Sequence, residues 1–114
     1  MPFTTKEDLQ GHNFDFLCVP NHEIRDWVTT SGTSGDPVWF GLTHKDLKRL
    51  AYNESKSFER MGLQRGDIVQ LTTTLDRRFL AGLAYYQGAQ DFQLGVVRVG
   101  SGVPELQWNT ILAI

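Results

Sequence analysis

The sequence predicts an α/β fold, and three features carry that prediction. Two short β-rich runs, residues 68–73 and 94–99, flank a helical stretch over residues 78–90. A strand, a helix and a strand in that order make a βαβ unit, which normally means parallel strands and a right-handed crossover. Turn-forming sequences bound the unit, Gln64-Arg65-Gly66-Asp67 before it and Gly100-Ser101-Gly102 after it. At 114 residues the chain is one domain's worth, able to bury a modest core.

The remaining elements follow from the same reading. Residues 1–26 are mixed, with a short helix near residues 5–10 and a loop around residues 18–23. Residues 27–30 and 38–42 read as two short strands joined by a hydroxyl-rich connection. Thr43 stands as a helix N-cap, with Asp46 three residues on in the manner of a capping box. Leu47, Leu50, Ala51, Phe58 and Met61 fall on one side at helical spacing, and Gly62 is placed to end that helix in the left-handed conformation. In the helix over residues 78–90, Phe79, Leu83 and Tyr86 share a face. Pro104 suits the first turn of a last helix, on which Trp108, Ile111 and Leu112 need cover. That helix meets Ile114 without a cap or a charged last turn, so the chain reads as cut inside its own sheet.

Bulk properties narrow the function classes. The apolar fraction of 40% is globular, and a net charge of −2 gives no basic footprint for nucleic acid. No apolar run approaches the roughly 20 residues of a membrane span, and the N-terminus lacks the plan of a signal peptide. Cys18 is the one cysteine, so neither an internal disulfide nor a multi-cysteine zinc site can form. His12, His22 and His44 lack metal-ligand spacing and read as surface residues. Tyr85, Tyr86 and the tryptophans read as packing. These features favour the cytoplasm, and they leave open self-association into a homo-oligomer.

The connection Thr29-Thr30-Ser31-Gly32-Thr33-Ser34-Gly35-Asp36-Pro37 carries the chemistry. Gly32 and Gly35 can take positive φ at little cost, so backbone N–H groups can turn inward. Such a nest holds anions, and Thr and Ser hydroxyls add donors to phosphate oxygens. The loop has no lysine or arginine, so backbone geometry, hydroxyls and a metal ion would do the holding. The same residue types also make ordinary hairpin turns. It is not a Walker A loop, because Asp36-Pro37 stands where the lysine would be.

The order of residues carries a family resemblance. Ser31-Gly32-Thr33-Ser34-Gly35-Asp36-Pro37 resembles the phosphate-binding signature of the AMP-forming adenylating enzymes, Ser-Gly-Thr-Thr-Gly-Lys-Pro in many members. Pro2-Phe3-Thr4-Thr5-Lys6-Glu7-Asp8-Leu9 looks like the segment upstream of this loop in phenylacetate–coenzyme A ligases. Gly41-Leu42-Thr43-His44-Lys45-Asp46-Leu47, Gly66-Asp67-Ile68-Val69-Gln70 and Gly82-Leu83-Ala84-Tyr85-Tyr86-Gln87-Gly88-Ala89 are similar to segments downstream. The resemblance covers nearly the whole chain. It implies that residues 1–114 are a partial AMP-binding domain, a βαβ-containing piece of the large N-terminal domain of such a ligase.

It also implies a chemistry. The parent would activate an aryl or related carboxylic acid with ATP and Mg²⁺ to an acyl-adenylate, then transfer the acyl group to coenzyme A. Carried over by position, Thr30, Ser31, Gly32, Thr33, Ser34 and Gly35 would line the ATP phosphates. Ser34 replaces the commoner Thr and keeps a hydroxyl, whereas Asp36 replaces the commoner Lys and reads as a turn residue. In residues 72–79 only Phe79 matches the stretch that borders the acyl pocket in the family. Asp76, Arg77 and Arg78 depart from it and read as a helix N-terminus, with Asp76 as cap and two solvated arginines. The family's adenine, ribose and catalytic-lysine elements have no counterpart, so no catalytic residue is assigned and the chain alone is expected to be inactive. The rival expectation is a free-standing α/β module for binding or assembly, with a simple turn at residues 30–35.

Overall fold

Two antiparallel strands and short helical segments make up the first unit, Met1–Asp46. The computed structural model describes residues 3–30 and 36–114. Strand β1, Ile24–Thr29, pairs antiparallel with β2, Trp39–Thr43. β1 starts three residues before the expected strand at Trp27. A bulge between Ile24 and Asp26 sets Arg25 outside the ladder, and the charged pair Arg25-Asp26 hid this start from a pattern reading. Helix α1, Lys6–Gly11, opens on a capping box between Thr5 and Asp8, and single 3₁₀ turns follow at Asn13–Phe16 and Asn21–Glu23. The second of these turns occupies part of the expected loop over residues 18–23. Phe14 packs edge-on against Trp27 on β1, ring centres 5.9 Å apart.

Thr43 both ends β2 and begins helix α2, His44–Arg60. Its N–H and hydroxyl donate to the Asp46 carboxylate at 3.0 and 2.7 Å, and the Asp46 N–H returns to the Thr43 hydroxyl oxygen at 3.3 Å. The capping box read from the sequence is therefore made with Asp in place of the usual Glu. At the other end Gly62 takes φ +87°. Leu63 N–H reaches the Phe58 carbonyl at 3.2 Å and Gly62 N–H the Glu59 carbonyl at 3.1 Å, the Schellman pattern. Met61 lies beyond the last helical turn and is exposed, so it does not join the apolar face with Ala51 and Phe58.

The second unit, Leu47–Ile114, contains the βαβ motif. Strand β3, Ile68–Leu71, and strand β4, Gly95–Arg98, pair in parallel with Ile68 opposite Gly95 and Leu71 opposite Arg98. Helix α3, Leu80–Asp91, connects them. Phe58, Ala89 and Leu94 form the buried cluster, with Leu63, Val69, Phe92 and Val96 against it. The buried residues of α3 are Gly82, Ala84, Gly88 and Ala89, whereas Phe79, Leu83 and Tyr86 stay partly or largely accessible. Close helix approach explains the difference. A Cβ on Gly88 would stand 2.4 Å from Glu54 Cβ and 3.0 Å from the Ser55 nitrogen, so α3 touches the backbone of α2 there. Small residues form the contact, and the large ones are left at its margins.

Helix α4, Pro104–Ala113, begins with proline in its first turn as expected. Trp108, Ile111, Leu112 and Ile114 are 59–68% exposed, so Trp108, expected to pack like the other tryptophans, does not do so within this unit.

Two outcomes follow for stability. Gly88→Val should destabilise the protein by about 1–3 kcal/mol through overpacking, whereas Gly11→Ala, with nothing within 4 Å of its Cβ, should be nearly neutral. Urea unfolding of both variants measures this, and equal midpoints would refute the close contact. Residues 1–114 prepared alone should self-associate, since each large apolar side chain left in water forgoes about 1.5–3 kcal/mol. Trp108→Lys combined with Ile111→Lys should shift size-exclusion elution toward the monomer, and a wild-type monomer at all concentrations would contradict the expectation.

Candidate functional site

The hydroxyl-rich connection is held at its two ends by the first unit. Thr30 N–H donates to the Val38 carbonyl at 3.0 Å, and Val38 N–H donates to the Thr30 hydroxyl oxygen at 3.1 Å. The Thr30 side chain thereby helps close the hairpin, and its hydroxyl proton remains a donor. Val28 and Val38 are buried beneath this closure. Ser31, Gly32, Thr33, Ser34 and Gly35 lie outside the described residues.

Two amides missed by the sequence reading hold the second strand of the connection. Asn13 Nδ2 donates to the Trp39 carbonyl at 2.7 Å while its Oδ1 accepts from Trp39 N–H at 2.6 Å. This is the pairing a neighbouring strand would make. Gln10 Nε2 donates to the Asp36 carbonyl, and the Asp36 side chain is exposed, in keeping with a turn residue. Nothing in the local pattern marks Gln10 or Asn13, because their partners lie 26 residues away.

In the second unit the carboxyl ends of β3 and β4 form one edge, the side on which α/β sheets place ligands. The Leu71 carbonyl accepts from both Val99 N–H at 3.1 Å and Gly100 N–H at 3.2 Å, tying together the bases of the two loops that leave this edge. Asp76 does not cap α3. Arg77 and Arg78 take φ of 57° and 61°, which breaks any helical run before Phe79, and the helix starts at Leu80. Asp76 instead accepts from the Thr74 hydroxyl, and its carbonyl receives Phe79 N–H at 3.2 Å. Phe79 is 44% exposed at this edge. A Cβ on Gly82 would fall 1.9 Å from the Thr74 carbonyl oxygen, so the first turn of α3 rests directly on the loop backbone.

The three histidines are exposed, and among the described residues no group of three His, Cys, Asp or Glu could hold a metal. Tyr86 packs under the Arg98 guanidinium, 5.5 Å from ring centre to Cζ. Among the described residues no helix is long and apolar enough to cross a membrane.

The Thr74 hydroxyl, more than the Arg77 charge, holds the Asp76 carboxyl below the usual aspartate range. A depressed carboxyl stabilises the fold above its unfolded value and loses that contribution as pH falls through its folded value. Thr74→Val should therefore raise the Asp76 titration midpoint toward the ordinary one, as read by carboxyl-carbon NMR. An unchanged midpoint would remove Thr74 as the cause.

No family model matches the chain. Over 108 residues it is 33% identical to the phenylacetate–coenzyme A ligase of Thermus thermophilus, covering 94% of this chain and 24% of that protein. The phenylacetate–coenzyme A ligase of Aromatoleum evansii is 32% identical over 96% of this chain and 25% of its own length. The chain thus spans about a quarter of the length of the curated relatives it matches. Crystal structures of a 2-hydroxyisobutyryl-CoA ligase share the fold. One, in complex with 2-HIB-AMP and CoA in the thioesterification state, superposes with TM-score 0.80 at 25% identity, over 98% of this chain and 24% of that one. An open conformation with the same ligands gives 0.78 at 24% identity, over 98% and 26%. The chain is therefore similar over almost its whole length to an N-terminal region of the phenylacetate–coenzyme A ligases, with the α/β fold of the matching part of an acyl-CoA ligase.

Proposed function

We propose that residues 1–114 are a partial adenylation domain of an ATP-dependent acid–coenzyme A ligase. The observation that carries this reading is the similarity to phenylacetate–coenzyme A ligases over 94–96% of the chain, in which the hydroxyl-rich connection sits between paired strands. The substrates would be an aryl or related carboxylic acid, ATP and coenzyme A. In the reaction a carboxylate oxygen bonds to the α-phosphorus as the bond to the pyrophosphate oxygen breaks. The coenzyme A thiol then attacks the acyl carbon and displaces AMP.

Positioning and charge stabilisation dominate phosphoryl-group chemistry of this kind. In this reading Thr30, Ser31, Gly32, Thr33, Ser34 and Gly35 offer hydroxyl and N–H donors to the phosphates and to the charge building on pyrophosphate. Phe79 borders the acid. The described residues supply no carboxylate cage for Mg²⁺, so the ion would be carried mainly by the ATP phosphates, its usual habit. No step is assigned to it. A cytoplasmic location belongs to the same proposal.

The test is acid-dependent ATP–pyrophosphate exchange by the full-length gene product. Thr33→Ala and Ser34→Ala each remove a hydrogen bond to a charged group, worth about 1.5–3 kcal/mol, so exchange should fall roughly 10- to 150-fold. Exchange unchanged in both variants would reduce the connection to an ordinary turn.

A further inference from the structure

Helix α4 shows its apolar side chains to solvent but keeps Gln107 and Thr110 partly covered. Gln107 is the informative one. Its side-chain Nε2 donates to the Gly100 carbonyl at 3.0 Å, and its backbone carbonyl accepts from Gln70 Nε2 at 3.2 Å. Gln70 belongs to β3, and Gly100 is the second residue past the end of β4. The three groups form a chain of hydrogen bonds from the sheet, through α4, to the loop at the carboxyl edge. Gly100 and Gly102 both take left-handed φ, +73° and +83°, a backbone path with little intrinsic preference for one arrangement. Gly100 is nevertheless fixed on both sides, its N–H on the Leu71 carbonyl and its carbonyl on Gln107. A helix residue whose backbone carbonyl is held by a strand side chain, and whose side-chain amide grips a loop carbonyl, sets where that loop stands.

We infer that Gln107 is a positioning residue: through Gly100, with Gln70 as its support, it sets the Gly100–Gly102 loop against the substrate at the carboxyl edge of β3 and β4. The substrate part concerned is the apolar end of the carboxylic acid. Phe79 and Val103, 44% and 47% exposed, stand on the two loops that leave this edge, while the phosphate donors proposed above belong to a different connection. This assignment rests on the ligase reading.

Two measurements on the full-length gene product test it. Gln107→Glu keeps the shape but replaces the N–H donor with an acceptor facing the Gly100 carbonyl. It should speed amide hydrogen exchange at Val99 and Gly100, and raise KM for the acid about tenfold, the equivalent of one hydrogen bond, with KM for ATP changed less than about twofold. Gln107→Lys restores a donor of similar reach and should recover both readouts. Thr110→Ala, on the same helix, should alter neither. Unchanged exchange at Val99 and Gly100 in Gln107→Glu overturns the pin. Faster exchange with both KM values rising in parallel, or with no change in either, overturns the positioning role. Absence of any acid-dependent ATP–pyrophosphate exchange in the wild-type protein would instead refute the ligase reading, and this assignment with it, while leaving the pin to be decided by hydrogen exchange.

Discussion

The two hydrogen bonds between Thr30 and Val38 are the constraint on which the first unit turns. They lock the end of an antiparallel ladder that is only five residue pairs long. Hairpins of this size are marginal by themselves, so the ladder needs outside help. Asn13 supplies it by pairing with both polar groups of the Trp39 backbone, and Gln10 holds the Asp36 carbonyl. Gly41 lets Ile24 and Leu17 close over the strand, since a Cβ there would meet Ile24 Cδ1 at 2.7 Å. The C-terminal end of the hydroxyl-rich connection is therefore anchored by residues far away in sequence. An anion loop needs fixed ends, because ordering it at the moment of binding would cost conformational entropy.

A different economy governs the second unit. Its buried cluster is small, and α3 gains its place through Gly82 and Gly88 rather than through large side chains. Backbone-to-backbone approach of this kind fixes geometry tightly, because there is no flexible side chain to absorb a shift. The Leu71 carbonyl then serves Val99 and Gly100 together. Order in the parallel pair is thus passed to the two loops at its carboxyl edge, where a ligand would be met. The exposed apolar face of α4 stands apart from this network and contributes little to the unit's own core.

Much of this was legible in the sequence, and the exceptions share a cause. The βαβ order, the Thr43–Asp46 cap, the Gly62 stop and the Pro104 start depend on residues close in the chain, so local chemistry reveals them. The start of β1 was missed because a bulge breaks the alternation on which strand reading depends. The face of α3 was misassigned because hydrophobic periodicity favours large residues, while close helix packing selects small ones. Asp76 looked like a cap because Asp before a helix usually is one. Two consecutive left-handed arginines, which no propensity foretells, moved the helix start to Leu80. For the candidate site, residue order points to the connection as the proposed phosphate loop, but the anchoring amides of Gln10 and Asn13 act across 26 residues and leave no local trace.

The central claim is that the connection between β1 and β2 binds phosphate. Its most direct test is amide NMR of the full-length gene product, isotope-labelled at glycine and threonine and titrated with pyrophosphate in the presence of Mg²⁺. The account predicts saturable shifts at Gly32, Thr33 and Gly35, with the Gly11 and Gly62 signals unmoved. Saturation that leaves Gly32, Thr33 and Gly35 in place, or shifts spread evenly over all glycines, would contradict it.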